Sequence, residues 1–168
     1  LNDRTGRSWV GGRELVDAAA LEEKLESGYA MWVNDAYWLF MPYKLRDPGV
    51  NLAMKGDTTM EDGRPATCLT LTFEAVGLTP QNKYDVHVSK ESGLVEQWDF
   101  YTEASDAEPR FQVPWHDWRP HGGILLSADR GERSHTDVAV LDAVPPGAFT
   151  SPQALDWDAL VPAAGEEN

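Results

Sequence analysis

The side chains able to do chemistry in this chain are few. The stretch Trp115-His116-Asp117-Trp118-Arg119-Pro120-His121 sets two imidazoles around a carboxylate, a combination that can ligate a metal and serve a metal-dependent hydrolase. Arg119-Pro120 breaks any fixed helical spacing, however, and no third strong ligand adjoins His116, Asp117 or His121. A solvent-facing loop accounts for these residues better than a metal centre, so no metal is expected. His87 falls on the polar side of an alternating run and His135 opens another, and both read as surface residues. The single Cys68 cannot form an internal disulfide, and in TCLTLTF it reads as a small buried residue.

The sequence contains no GxSxG, HExxH, CxxC, Walker or dinucleotide fingerprint. The glycine pairs at 11–12 and 122–123 lack the strand-to-helix context of a phosphate loop and read as turns. Glu22 and Glu26, with Lys24 nearby, read as a solvated helix face. These residues lead to an expectation of a non-catalytic protein without a cofactor.

Among the elements the sequence encodes, one helix stands out. In ELVDAAALEEKLESGYAMWVND, Leu21, Leu25, Tyr29 and Trp32 or Val33 recur at helical spacing, which predicts an amphipathic helix over about 14–34. Strand signals then follow almost to the end, over about 36–144. AYWLFM reads as a first strand, halted by Pro42 and the Asp47-Pro48-Gly49 turn. VNLAMKG leads to a turn at Glu61-Asp62-Gly63, and ATCLTLTFEAV and KYDVHV alternate apolar with polar. LVEQWDFY, RFQVPW, GGILLSA and HTDVAVLDAV complete the series, and the Pro-rich segment 145–168 reads as an irregular tail with a frayed end.

One helix followed by closely spaced strands is a meander and not a βαβ array. Such a sheet twists and curls. The expected fold is therefore mainly β (α+β), one domain over residues 1–168. It is a curved open antiparallel sheet, an incomplete barrel, with the amphipathic helix in its concave face. Most strands are apolar on one face only, so one face should be covered and the other wet.

Composition narrows the function classes. The chain carries 28 acids against 14 bases, a formal charge of −14, which disfavours nucleic acid and anionic membrane surfaces as partners. A dispersed acidic surface poor in Lys suits a protein kept soluble at high salt. The apolar run at 37–43 is far shorter than the ~20 residues of a membrane helix. No signal peptide or lipobox Cys is visible near Leu1, which reads as the start of a trimmed chain.

Four segments carry a resemblance: NDAYWLFMPYKLRDPGV (34–50), FEAVGLTPQNKYDVHV (73–88), SGLVEQWDFY (92–101) and WHDW with GGILL (115–126). Across roughly residues 2–145 they resemble an uncharacterised bacterial family described as similar to outer-membrane lipoprotein-sorting proteins, the LolA/LolB-like group. The resemblance implies a half barrel with helical cover over an apolar cavity, lipid or lipoprotein acyl chains as partners, and a periplasmic or outer-membrane-associated location. Candidate cavity walls are Tyr29, Trp32 and Val33 from the helix, with Tyr37, Leu39, Met41, Leu71, Phe73, Val86, Trp98 and Phe100 from the sheet. The alternative is that these residues pack against one another and leave no cavity. Two other functions stay open: a structural or interaction module whose apolar strand meets a partner or a second copy, and a hydrolase using the His116 region.

Overall fold

The fold is that of a computed structural model, which describes residues 3–161, without the side chain of Asp158. The frayed end expected at the C-terminus falls on residues outside this range. A short hairpin, β1 (Trp9–Val10) and β2 (Arg13–Glu14), precedes the long helix α1 (Ala18–Phe40). A 3-10 turn (Met41–Tyr43) leads into β3 (Val50–Thr59), β4 (Pro65–Phe73), β5 (Lys83–Ser89), β6 (Val95–Tyr101) and β7 (Phe111–Pro114). β8 (His116–His121), β9 (Ile124–Arg130), β10 (Arg133–Ser134) and the single-turn α2 (Trp157–Leu160) follow. The protein is thus mainly β with antiparallel sheets, one long helix and no closed barrel among the described residues.

α1 starts where Asp17 accepts a hydrogen bond from the Ala20 amide at 2.9 Å, closing an N-cap. It does not end at Asn34 as its polar spacing suggests. AYWLF is the helix's last turn and a half, not a strand. Propensity favours a strand for such aromatic residues, but packing overrides it. Tyr37, Trp38 and Met41 lie at i, i+1 and i+4, one helical stripe, and that stripe meets the sheet. The helix stops where Pro42 cannot continue it, and the Met41 amide bonds back to the Tyr37 carbonyl.

The strands form a five-stranded meander, β3-β4-β5-β6-β7, and a separate three-stranded sheet, β10-β9-β8, where a single sheet is expected. The division falls at Trp115, which is wholly buried between β7 and β8 while its amide still bonds to the Glu96 carbonyl at 2.9 Å. WHDWRPH is consequently strand β8 and not a loop, paired with β9 through the Gly122-Gly123 turn. Both glycines have positive φ, 54° and 85°, as a two-residue hairpin of this hand requires. HTDVAVLDAV forms no strand beyond Ser134. β10 holds the β9 edge for two residues only, and a strand needs a ladder to complete its backbone hydrogen bonds.

The core sits where the end of α1 crosses one face of the meander. Met41, Leu71, Val86 and Trp115 are fully buried, and Trp98 nearly so. Trp98 stacks on Tyr84 with ring centres 4.8 Å apart and meets Trp38 edge-on at 5.0 Å. Each aliphatic side chain fully buried here contributes about 1.5–3 kcal/mol. Arg130 of β9 locks the second sheet to this core. Its guanidinium lies 3.5 Å over the Trp115 ring and donates to the Trp38 carbonyl at 3.0 Å. Burial pushes the Arg130 pKa down to about 10, which leaves it charged at neutral pH.

The first half of α1 lies away from that core. Leu25 approaches Gly6, and the Arg4 guanidinium sits 4.5 Å over the Tyr29 ring, so the chain's first residues cover this part of the helix.

Candidate functional site

Two hollows flank the five-stranded sheet, one on each face. The first, of about 360 Å³, opens between the second half of α1, the turn before β3 and the β4–β5 loop. Trp32, Val33, Tyr37, Val50, Phe73 and Leu78 give it a largely apolar wall, and Lys44 and Asp47 stand at its edge as an ion pair.

The turn that shapes this cleft is written in Asp47-Pro48-Gly49-Val50. The Val50 amide bonds to the Asp47 carbonyl at 3.0 Å, with Pro48 and Gly49 between them. Gly49 has φ +82°, the position where a turn of this type requires glycine. A Cβ at Gly49 would also lie 2.4 Å from a methyl of Val76, itself part of the cleft wall. Burial pushes the Tyr37 hydroxyl pKa well above its ordinary range, so this phenol stays neutral beside the cleft.

The eleven residues named as cavity walls are divided by the fold. Trp32, Val33, Tyr37 and Phe73 line the cleft. Met41, Leu71, Val86 and Trp98 are packed solid in the core, with Phe100 and Tyr37 against them. Leu39 is half-buried near the end of α1, and Tyr29 is held under Arg4.

The second hollow, of about 440 Å³, is on the opposite sheet face, where side chains alternate with those of the core. That face is not simply wet, and His87 is not a surface residue. Asp85, His87, Gln97 and Asp99 are 2%, 5%, 5% and 6% exposed. The end of β3 and the residues just past it border this face. A bulge between Met54 and Gly56 kinks the strand, Met60 next after it is buried, and the Glu61 amide bonds to the Gln97 side-chain oxygen at 2.8 Å.

Two carboxylates organise the polar network. Asp85 accepts from the Lys55 ammonium at 2.6 Å, the Thr70 hydroxyl at 2.5 Å and the Tyr101 hydroxyl at 2.9 Å. Asp99 accepts from the Gln97 and Gln112 amides at 2.8 and 3.0 Å and lies 2.8 Å from His87 Nε2. Burial alone would raise both pKa values. The bonds from Lys55, Thr70 and Tyr101 outweigh it at Asp85, and those from His87, Gln97 and Gln112 outweigh it at Asp99, so both stay below the ordinary carboxylate range. Burial, reinforced by Asp85, pushes the Tyr101 hydroxyl up, and it remains a donor. His87 Nδ1 is buried and has no hydrogen-bond partner among the described residues.

Cys68 faces His87 across the β4–β5 ladder. Burial pushes its thiol up to about 11, so it is not the thiolate a nucleophile needs. His116 lies 3.5 Å from the Arg64 guanidinium and Asp117 pairs with Arg119, so β8 does not gather His116, Asp117 and His121 around one point. No group of three or more His, Cys, Asp or Glu side chains among the described residues is arranged to hold a metal ion. No described helix is long and apolar enough to cross a membrane.

Fold and site together define a mainly β, antiparallel protein carrying an apolar cleft and a polar hollow back to back. Comparison with protein-family models, curated proteins and solved structures finds no match to this chain.

Proposed function

We propose that this protein binds a lipid-like ligand non-catalytically, an acyl chain entering the cleft between α1 and the β4–β5 loop. The observation that carries the proposal is the apolar wall of Trp32, Val33, Phe73 and Leu78 around about 360 Å³, at the lower end of the range for small-molecule pockets. Each methylene moved from water into such a wall gains about 0.8 kcal/mol, so at least about ten buried methylenes are needed for micromolar binding, and no reactive group is required. The resemblance of residues 34–50 to LolA/LolB-like proteins supports the same ligand class and a cell-envelope location. The segment that carries it contributes Asn34, Ala36, Tyr37, Lys44, Asp47, Pro48 and Val50 to the cleft wall.

The test is saturable binding of a fluorescent fatty acid, together with mass spectrometry of an organic extract of the purified protein. Leu78 is 47% exposed, so Leu78→Asp should fold and abolish binding by placing a charge in the wall. Absence of both saturable binding and extracted lipid refutes the proposal.

A second reading, an interaction module, is favoured by one feature: no residue of α1 is fully buried, and Met31 and Trp32 are 62% and 48% exposed. A protein of this kind should elute above 18.7 kDa and lose that assembly with Met31→Glu. Trp38 is unsuitable for this test because it packs edge-on against Trp98 in the core.

A further inference from the structure

We infer that the apolar cleft selects both chain and head group: it takes one alkyl chain of about ten to twelve carbons under an uncharged head, a monoacylglycerol type of amphiphile, in preference to a free fatty acid or a two-chain phospholipid. The inference rests on the reading of the cleft as an alkyl-chain site and names the member of that class it fits.

Size sets the chain. A methylene is about as large as a water molecule, whose share of liquid volume is about 30 Å³, so a hollow of about 360 Å³ holds roughly a dozen of them. About ten are needed for micromolar affinity. The two bounds nearly meet, which leaves room for one chain and none for a second.

Charge sets the head. Lys44 and Asp47 are the only charged residues of the cleft wall among the described residues, and they are paired with each other. Their side chains are 42% and 41% exposed, so the pair stands at the wet edge of the cleft, where a head group meets solvent. The other polar groups of the wall, Asn34, Tyr37, Thr79 and Tyr84, are uncharged, and burial holds both phenols protonated. The mouth therefore offers a ligand no net charge. A carboxylate drawn to Lys44 also approaches Asp47, in a chain whose formal charge of −14 repels anions. It gives up hydration and finds no free cation in return. A hydroxylated neutral head meets no such penalty. Lys44 has three ammonium hydrogens and gives one to Asp47, so a hydroxyl can accept from the ammonium and donate to the carboxylate while the pair stays intact.

The experiment is displacement of a bound fluorescent fatty acid from the whole chain at neutral pH by monododecanoylglycerol, dodecanoate and didodecanoyl phosphatidylcholine. Monododecanoylglycerol should displace the probe at a several-fold lower concentration than dodecanoate, and the phospholipid should be the weakest of the three. Asp47→Asn leaves Lys44 without its counter-charge. It should tighten dodecanoate roughly fivefold, the effect of one unit charge at contact distance in water, and leave monododecanoylglycerol unchanged. Lys44→Gln should shift dodecanoate by a similar factor the other way. Both side chains are exposed and the turn uses the backbone carbonyl of Asp47, so both variants keep the fold. Dodecanoate or the phospholipid binding as tightly as monododecanoylglycerol, or a preference that neither variant moves, overturns the inference while the cleft reading stands. A wild-type protein that does not bind the probe at all overturns the cleft reading and this inference with it.

Discussion

Replacing Gly49 by Ala tests the turn, the cleft wall and the packing between them in one position. Two costs are legible in the structure. Gly49 has φ +82°, where an L residue pays about 1–2 kcal/mol for the left-handed conformation. The added methyl would lie 2.4 and 3.0 Å from the two methyls of Val76 and 3.2 Å from its Cβ. Rotating Val76 about χ1 moves the methyls but not the Cβ, so the backbone must also give, and overpacking of this kind costs about 1–3 kcal/mol. The sum is about 2–5 kcal/mol, a large share of the 5–15 kcal/mol that holds a typical domain. Urea denaturation should therefore show a lower midpoint at an unchanged m-value. The double variant Gly49→Ala with Val76→Ala removes both methyls and leaves the backbone cost and the 3.2 Å approach to the Cβ at position 76. It should recover about 1–2 kcal/mol relative to additivity. Fatty-acid binding should weaken in Gly49→Ala, because Val76 is part of the cleft wall. A single variant costing less than about 0.5 kcal/mol, or a cycle with no coupling, would refute the steric reasoning.

Two further outcomes follow from the polar face. Asp85 and Asp99 have folded pKa values held below their unfolded values near 3.9, so their contribution is present above about pH 4 and is lost as pH falls through the folded values. Urea midpoints followed from neutral pH into acid should show that loss, and Asp99→Asn should be less stable at neutral pH yet show a shallower acid limb; an unchanged limb would contradict the assignment. The Cys68 thiol, 3% exposed and pushed up to about 11, should resist iodoacetamide at neutral pH until urea unfolds the chain, which mass spectrometry of the alkylated peptide reads directly.

Local chemistry made part of this fold readable. Asp47-Pro48-Gly49 is a turn because Pro fixes one φ and Gly supplies the opposite sign, and both constraints are visible in the letters. Leu69, Leu71 and Phe73 alternate with threonines because β4 has two unlike faces. What depended on distant partners was not readable. Tyr37 and Trp38 look like strand residues until Trp98 and Tyr84, some sixty and fifty positions away, are known to receive them. The polar set on β5 and β6 looks solvated because a lone strand cannot show that the end of β3 borders it. Asp85-x-His87 and Gln97-x-Asp99-x-Tyr101 held the available signal: side chains that can satisfy one another across a ladder need no water. The apolar cleft is half visible, since the types of Trp32, Val33, Tyr37 and Phe73 mark them as wall residues, whereas Val76 and Leu78 lie in a loop with no periodicity to mark them.

The irregularity in β3 has one more effect. This strand is ten residues long and forms an outer rim of the meander, with a row of backbone groups that a neighbouring chain could extend into a ribbon. The extra residue, Lys55, breaks the straight repeat such a ribbon needs and places a charge at the break, with the opposite charge of Asp57 two residues on. Straightening the strand by deleting Lys55 would leave an uninterrupted sticky border, turning a self-contained sheet into a template for aggregation.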